Sequence, residues 1–220
     1  MSPNESKRAY NSPLRAQQAL ETRRRIRASA EALFLETGYA ATSMRLVAAH
    51  AGVAERTLYL NFPTKAALLN ELIRVAVRGH DRDEPLVVGE RFAAVIHAPP
   101  GELLREFADM VAALMSRTAR LLAIGEAAAT VDASLRVLRD RGHCATRADL
   151  NEVADALNRR GELTSSFTPQ QAADTMFAVA GSEVLYLRLV DECGWSNDDY
   201  ARLLEQLLAH LTAAGSSTVP

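Results

Sequence analysis

Residues 48–65 read AAHAGVAERTLYLNFPTK, and the glycine at position 52 most restricts the folds open to this chain. A helical stretch precedes it over 44–51, and a very short one follows over roughly 55–60. Glycine adopts positive φ at little cost, so the chain can turn tightly there. Ala48, on the inner face before Gly52, is small enough for two helices to cross closely. Val47, Ala51, Val53 and Leu58 supply apolar contacts between them. The pattern predicts a helix-turn-helix. Its second helix projects Glu55, Arg56, Thr57, Tyr59 and Asn61 outward. These side chains carry hydrogen-bonding groups suited to base edges and phosphate oxygens. Lys65 follows Thr64 at the start of the next helix, where unpaired backbone N–H groups and the helix dipole favour a phosphate.

The rest of the chain reads as helix too. Aromatic residues make up only 5% of the 220, β-branched residues are sparse and little of the sequence alternates with period two, so the fold class is all-α. Residues 1–15 are polar and read as a disordered arm. A helix is expected over 16–37, with Ile26, Ala30, Leu33, Phe34 and Thr37 on one face. Gly38 ends it, and Tyr39 can fold back onto it. Thr42 or Ser43 caps the next helix, and a fourth runs over 65–78. The stretch GHDRDEPLVVGE (79–90) reads as a linker, which divides the chain into a helix-turn-helix domain over 16–80 and a second helical domain over 81–220. Helices are expected there at about 89–97, 101–117, 119–130, 132–141, 146–160, 169–192 and 197–213.

Charge separates the halves in the same way. Residues 1–80 carry a net charge of +6 and residues 81–220 a net charge of −8, behind an overall value of −2. A basic end on an otherwise acidic chain points to a polyanionic partner. Cys144 and Cys193 are far apart and form no CxxC pair, so a reducing cytoplasm is compatible. The opening MSPNESKRAYNSPLRAQQ lacks the apolar centre of a secretory signal, and no run of about 18 apolar residues predicts a membrane span. No metal-ligand spacing, nucleophile–base pair or Gly-rich phosphate loop stands out. No cofactor, metal or enzymatic activity is expected.

The run TSMRLVAAHAGVAERTLYLNFPTKAALL (42–69), with RRRIRASAEALFLETGYAAT before it, resembles the DNA-binding region of the tetracycline-repressor (TetR) family. The residues that carry the likeness are Ala48, Ala51-Gly52-Val53, Thr57-Leu58-Tyr59, Phe62 and Lys65. Ala54 departs from it, standing where a Ser or Thr cap is usual. The resemblance implies that Thr57, Tyr59 and Lys65 contact phosphate, that Arg45 and Arg56 reach bases or backbone in the major groove, and that Thr42 or Ser43 anchors the second helix on the backbone. The arginine-rich start of the first helix is a further candidate for an adjacent groove.

For the larger half, the resemblance implies a helical bundle that dimerises and holds a small-molecule pocket. Phe107, Met110, Met115, Met176 and Phe177 are expected as pocket walls. EVLYLRLVDECGWSNDDYARLLEQLLAHL (183–211) is similar to the family's C-terminal helix pair. Leu185, Leu203, Leu204, Leu207, Leu208 and Leu211 are expected at a homodimer interface, because the apolar stripe that also includes Tyr200 is too wide for one neighbour. The implied function is a cytoplasmic, ligand-responsive repressor that binds a palindromic double-stranded DNA operator as a homodimer and is released by a small-molecule effector. The alternative is a DNA-bound regulator or architectural module with no small-molecule sensor.

Overall fold

The structure, a computed structural model, describes residues 4–79 and 87–212. Among these residues all regular structure is helical, apart from one isolated antiparallel bridge between Leu163 and Thr212. The chain divides into two compact units, 1–72 and 73–220. The division falls inside a helix rather than in the linker, most of which (80–86) lies outside the described residues.

In the first unit, α1 spans Asn4–Ala41 and is broken at Gly38, where φ is 82° and ψ 167°. It begins at Asn4, well before residue 16, so most of the segment read as a disordered arm is helical. Extending a formed helix adds one hydrogen bond per residue fixed, so a polar segment can be drawn in behind a nucleated one. Ile26, Ala30, Leu33 and Phe34 are buried on one face, while Thr37 stays exposed. After Gly38, Tyr39 does fold back, with its ring 5.7 Å from that of Phe34. α2 (Met44–His50) is capped by Ser43, whose hydroxyl accepts the Leu46 N–H at 3.1 Å. Gly52 turns the chain at φ 63°. α3 (Glu55–Asn61) starts at Ala54 with no side-chain cap, as its sequence implies. Val47, Ala48, Leu58, Phe62, Leu68 and Leu69 close the core. α4 (Lys65–Arg78) begins where the Thr64 hydroxyl accepts the Ala67 N–H at 3.0 Å.

In the second unit, α5 (Val87–Ile96) leads to α6 (Leu103–Ala129), which packs against α5, α7, α9 and α10. α6 runs unbroken through the break expected near 118. α7 (Ala133–Arg159) runs unbroken through Gly142, because a helical glycine costs only about 1 kcal/mol relative to alanine. The span expected as one helix over 169–192 is instead three pieces: α8 (Pro169–Ala180), α9 (Glu183–Leu187) and a π-helical turn, Arg188–Glu192. Gly181 makes the break, and a Cβ there would sit 2.6 Å from the Phe177 carbonyl oxygen. α10 (Asn197–Leu208) starts from a capping box between Ser196 and Asp199.

Tyr200 on α10 is fully buried, packed edge-on against Tyr186 at 4.9 Å between ring centroids, and its hydroxyl has no hydrogen-bond partner in the protein. Burial, and then the neighbouring Tyr186, raise its pKa above the usual tyrosine value. A buried, unpaired hydroxyl costs about 1–3 kcal/mol. Tyr200→Phe should therefore raise the melting temperature at neutral pH. In the unfolded chain the phenol ionises near pH 10, while in the folded core it stays neutral. The stability tied to Tyr200 is thus complete below about pH 10 and lost as pH rises through the higher folded value. Denaturant titrations at neutral and alkaline pH should show the advantage of Tyr200→Phe widening above about pH 10.

Candidate nucleic-acid interface

The helix-turn-helix is held by cations that donate to main-chain carbonyls. Arg25 of α1 donates through Nη2 to the Ala51 carbonyl at 2.6 Å and to the Gly52 carbonyl at 3.2 Å. A Cβ at Gly52 would lie 2.9 Å from that nitrogen, so a larger residue there would both strain the backbone at its positive φ and displace the Arg25 guanidinium. Lys65 Nζ donates to the Tyr39 carbonyl at 2.7 Å and the Thr42 carbonyl at 2.9 Å, and stands 4.2 Å from the centroid of the Tyr39 ring. Arg23 pairs with Glu71 at 3.0 Å and lies over the Phe62 ring at 4.6 Å, while Arg27 reaches the same carboxylate at 3.5 Å.

These contacts revise part of the expected site. Lys65 is half-buried, and its ammonium is spent on the end of α1 rather than held out as a phosphate clamp. Thr42 is fully buried, and its hydroxyl donates to the Gly38 carbonyl at 2.9 Å and meets the Thr37 hydroxyl at 3.0 Å, so it cannot anchor α2 on a backbone phosphate. Ser43 is exposed and keeps a hydroxyl proton to donate while its oxygen caps α2. Of the arginine run in α1, Arg23, Arg25 and Arg27 are engaged within the unit and are not free to reach a second groove. Nothing but position had signalled Arg25, whose partner carbonyls are more than twenty residues away in sequence.

α3 presents a continuous exposed face of Glu55, Arg56, Tyr59 and Leu60. Their spacing of i, i+1, i+4 and i+5 places them on one side of a helix. Leu58 faces the core, and Thr57 and Asn61 sit half-buried on the flank. The Asn61 amide donates back to the Thr57 carbonyl at 2.8 Å. Arg45 on α2 stands 3.7 Å from Glu55, with both side chains well exposed. Leu60, which the polar pattern passes over, is 78% exposed, and Tyr59 is 47% exposed. A short helix offering a guanidinium, a phenol and a carboxylate outward can hydrogen-bond both base edges and phosphates.

The second unit sorts its expected residues differently. Phe107, Met115 and Met176 are buried core, with Met110 and Phe177 partly buried against it. They are packing residues in this structure, not walls of an open pocket. Neither described surface depression touches them: one is lined by Gln17, Gln18, Leu20, Glu21 and Arg24, and the other includes Gly194, Trp195, Arg202 and Leu203. The expected dimer stripe divides. Leu204, Leu208 and Leu211 are buried within the one chain beside Tyr200, which removes them from an interface, because α10 packs directly on α6. Leu185 and Leu203 are half-buried and Leu207 is exposed. Val184 and Trp195 are also exposed. Among the described residues no group of three or more His, Cys, Asp or Glu side chains is placed to hold a metal ion, and no helix is long and apolar enough to cross a membrane.

Residues 26–72 match the family model for bacterial regulatory proteins of the tetR family. No curated protein matches the chain. Among solved structures, NalD of Pseudomonas aeruginosa, the secondary repressor of the MexAB-OprM multidrug efflux pump, is 26% identical with a TM-score of 0.66, covering 88% of this chain and 98% of its own. SmeT bound to triclosan superposes with a TM-score of 0.69 at 18% identity, over 91% of this chain and 95% of that one. A transcriptional regulator from Saccharomonospora viridis in complex with choline gives 0.65 at 18% identity, over 87% and 97%. The amino-terminal unit, with its stapled turn and exposed third helix, thus matches the DNA-binding region of tetR-family regulators, and the chain shares their helical fold over most of its length.

Proposed function

We propose that the protein is a cytoplasmic, ligand-responsive repressor that binds a palindromic operator as a homodimer and leaves it when a small molecule binds the second unit. The observation that carries the DNA-binding part is the exposed face of α3, with Arg56 and Tyr59 pointing outward from a turn that Arg25 holds. In a dimer, two such helices would enter successive major grooves about 34–36 Å apart. Ser43, Arg45, Arg56, Thr57 and Tyr59 are the proposed DNA contacts. Glu55 and Asn61 tune the set, Glu55 by pairing with Arg45 and Asn61 by bonding its own helix. Repression and small-molecule control are supported by a similar repressor and by similar regulators seen with triclosan and choline.

The dimer face is drawn from the surface that one chain leaves uncovered: Val184, Trp195, Leu203 and Leu207. The effector site would open between α6 and α8 by parting Phe107, Met110, Met115, Met176 and Phe177. Their close packing in the core favours the second reading, a DNA-bound regulator with no small-molecule sensor. A ligand binding only the folded state at a hundred times its Kd raises stability by about 2.7 kcal/mol. Under the first reading, thermal shift against a panel of lipophilic phenols and quaternary amines raises the melting temperature for at least one compound, which also releases DNA. A flat panel with intact DNA binding would select the second reading.

The DNA contacts are tested by fluorescence anisotropy on an operator selected from random duplexes. Tyr59→Phe should weaken binding to all sequences by about three- to tenfold if one hydrogen bond is lost. Arg56→Ala should also lower the salt slope by about 1 if it touches phosphate, or shift base preference if it touches a base. Neither change should alter the melting temperature. Lys65→Ala should lower it together with affinity, because the carbonyls of Tyr39 and Thr42 lose their donor. Unchanged affinity for both Tyr59→Phe and Arg56→Ala would remove α3 as the recognition helix. For the dimer, Leu207→Asp should shift the mass in light scattering to that of a monomer with helicity retained, and an unchanged dimer mass would displace the interface from α10.

A further inference from the structure

Leu60 is the one residue on the outward face of α3 that can neither donate nor accept a hydrogen bond, and it is among the most exposed large apolar side chains described, at 78%. Its neighbours on that face are charged or phenolic. The core takes nothing from it, since Leu58 and Phe62 fill the inner side of the same helix and are fully or almost fully buried. A leucine there gains nothing from a phosphate. In the major groove, the apolar feature that a base pair offers is the C5-methyl group of thymine.

Resting on the DNA-binding reading above, we propose that Leu60 is a specificity-determining residue that reads a thymine methyl group in each half-site. Its position relative to Arg56 sets where that thymine lies. The two side chains are one helical turn apart, about 6 Å along the axis. That is within about two base steps of 3.4 Å each. The half-site therefore carries a thymine within about two base pairs of the position that Arg56 addresses. The discrimination is by shape and desolvation: a cytosine at the same place presents an amino donor against leucine with nothing to accept it.

The test removes the methyl group and leaves every hydrogen bond of the base in place. Duplexes carrying the selected operator are synthesised with single thymine-to-deoxyuridine replacements in one half-site, and the full chain is titrated against each by anisotropy. With the wild-type protein, one replacement near the Arg56 position should weaken binding by about two- to fourfold, the worth of one buried methyl group. With Leu60→Ala, the same replacement should have no effect, and the thymine duplex itself should bind as weakly as the deoxyuridine duplex binds the wild type. Leu60 lies outside the core, so an unchanged melting temperature should accompany the variant. Identical deoxyuridine profiles for wild type and Leu60→Ala, with DNA still bound, would overturn the inference while leaving the DNA-binding reading intact. A uniform loss across all duplexes for Leu60→Ala would do the same, placing the leucine against the sugar backbone. No sequence-selective binding by the wild type would end both.

Discussion

Helix C-termini that receive a cation from another element hold this structure together. The carbonyls at the end of a helix have no intrahelical donor and carry the negative end of the dipole. Here Lys65 serves the end of α1, Arg25 the end of α2, Arg117 the Ala76 carbonyl near the end of α4, Arg160 the Ile96 and Ala98 carbonyls after α5, and Arg136 the Ala129 carbonyl of α6. Charge-assisted bonds of this kind are stronger than neutral ones. They also fix direction, because one guanidinium must satisfy carbonyls at set positions. In a chain with few aromatic residues, these bonds set the direction of elements that pack through small apolar side chains.

The same interaction explains how the basic amino-terminal half is used. Its excess of positive charge looks like a generic attraction for a polyanion, yet Arg23, Arg25, Arg27 and Lys65 are committed within the unit. What they build is a rigid frame around the turn at Gly52. The proposed recognition surface is left to a few side chains on α2 and α3. A surface held from behind loses little conformational entropy when it docks.

In the second unit the governing constraint is apolar packing around α6. The long stripe on α10 is wide because it serves two purposes. Tyr200, Leu204, Leu208 and Leu211 fill the core of their own chain, and Leu203 and Leu207 turn toward the surface. The π-helical turn after α9 is tied back to α6 by Arg120, which holds the Asp191 carboxylate with both Nε and Nη2 at 2.9 and 3.1 Å. The Phe and Met side chains that could wall a pocket lie in, or pack against, one buried core instead.

Local chemistry made the amino-terminal fold legible. Gly38 and Gly52 mark positive-φ positions, Ser43 and Thr64 are caps, and Ala48 sits where helices cross, so α2, α3 and α4 could be placed from residue type and period alone. Of the outward residues expected on α3, Glu55, Arg56 and Tyr59 are exposed, Thr57 and Asn61 are half-buried on the flank, and Leu60 was missed because it is apolar. Longer-range facts were not legible. Gly142 stays inside a helix while Gly181 ends one, where a Cβ would meet the Phe177 carbonyl, and no local pattern separates the two glycines. The sequence by itself determined an all-helical chain with a glycine-turned pair of short helices and a polar outward face, because those depend on φ, caps and a period of 3.6 residues. Only the tertiary structure decided which cations face solvent, which half of the α10 stripe is interior, and that Lys65 and Thr42 serve the scaffold, because each depends on partners distant in sequence that no local pattern records.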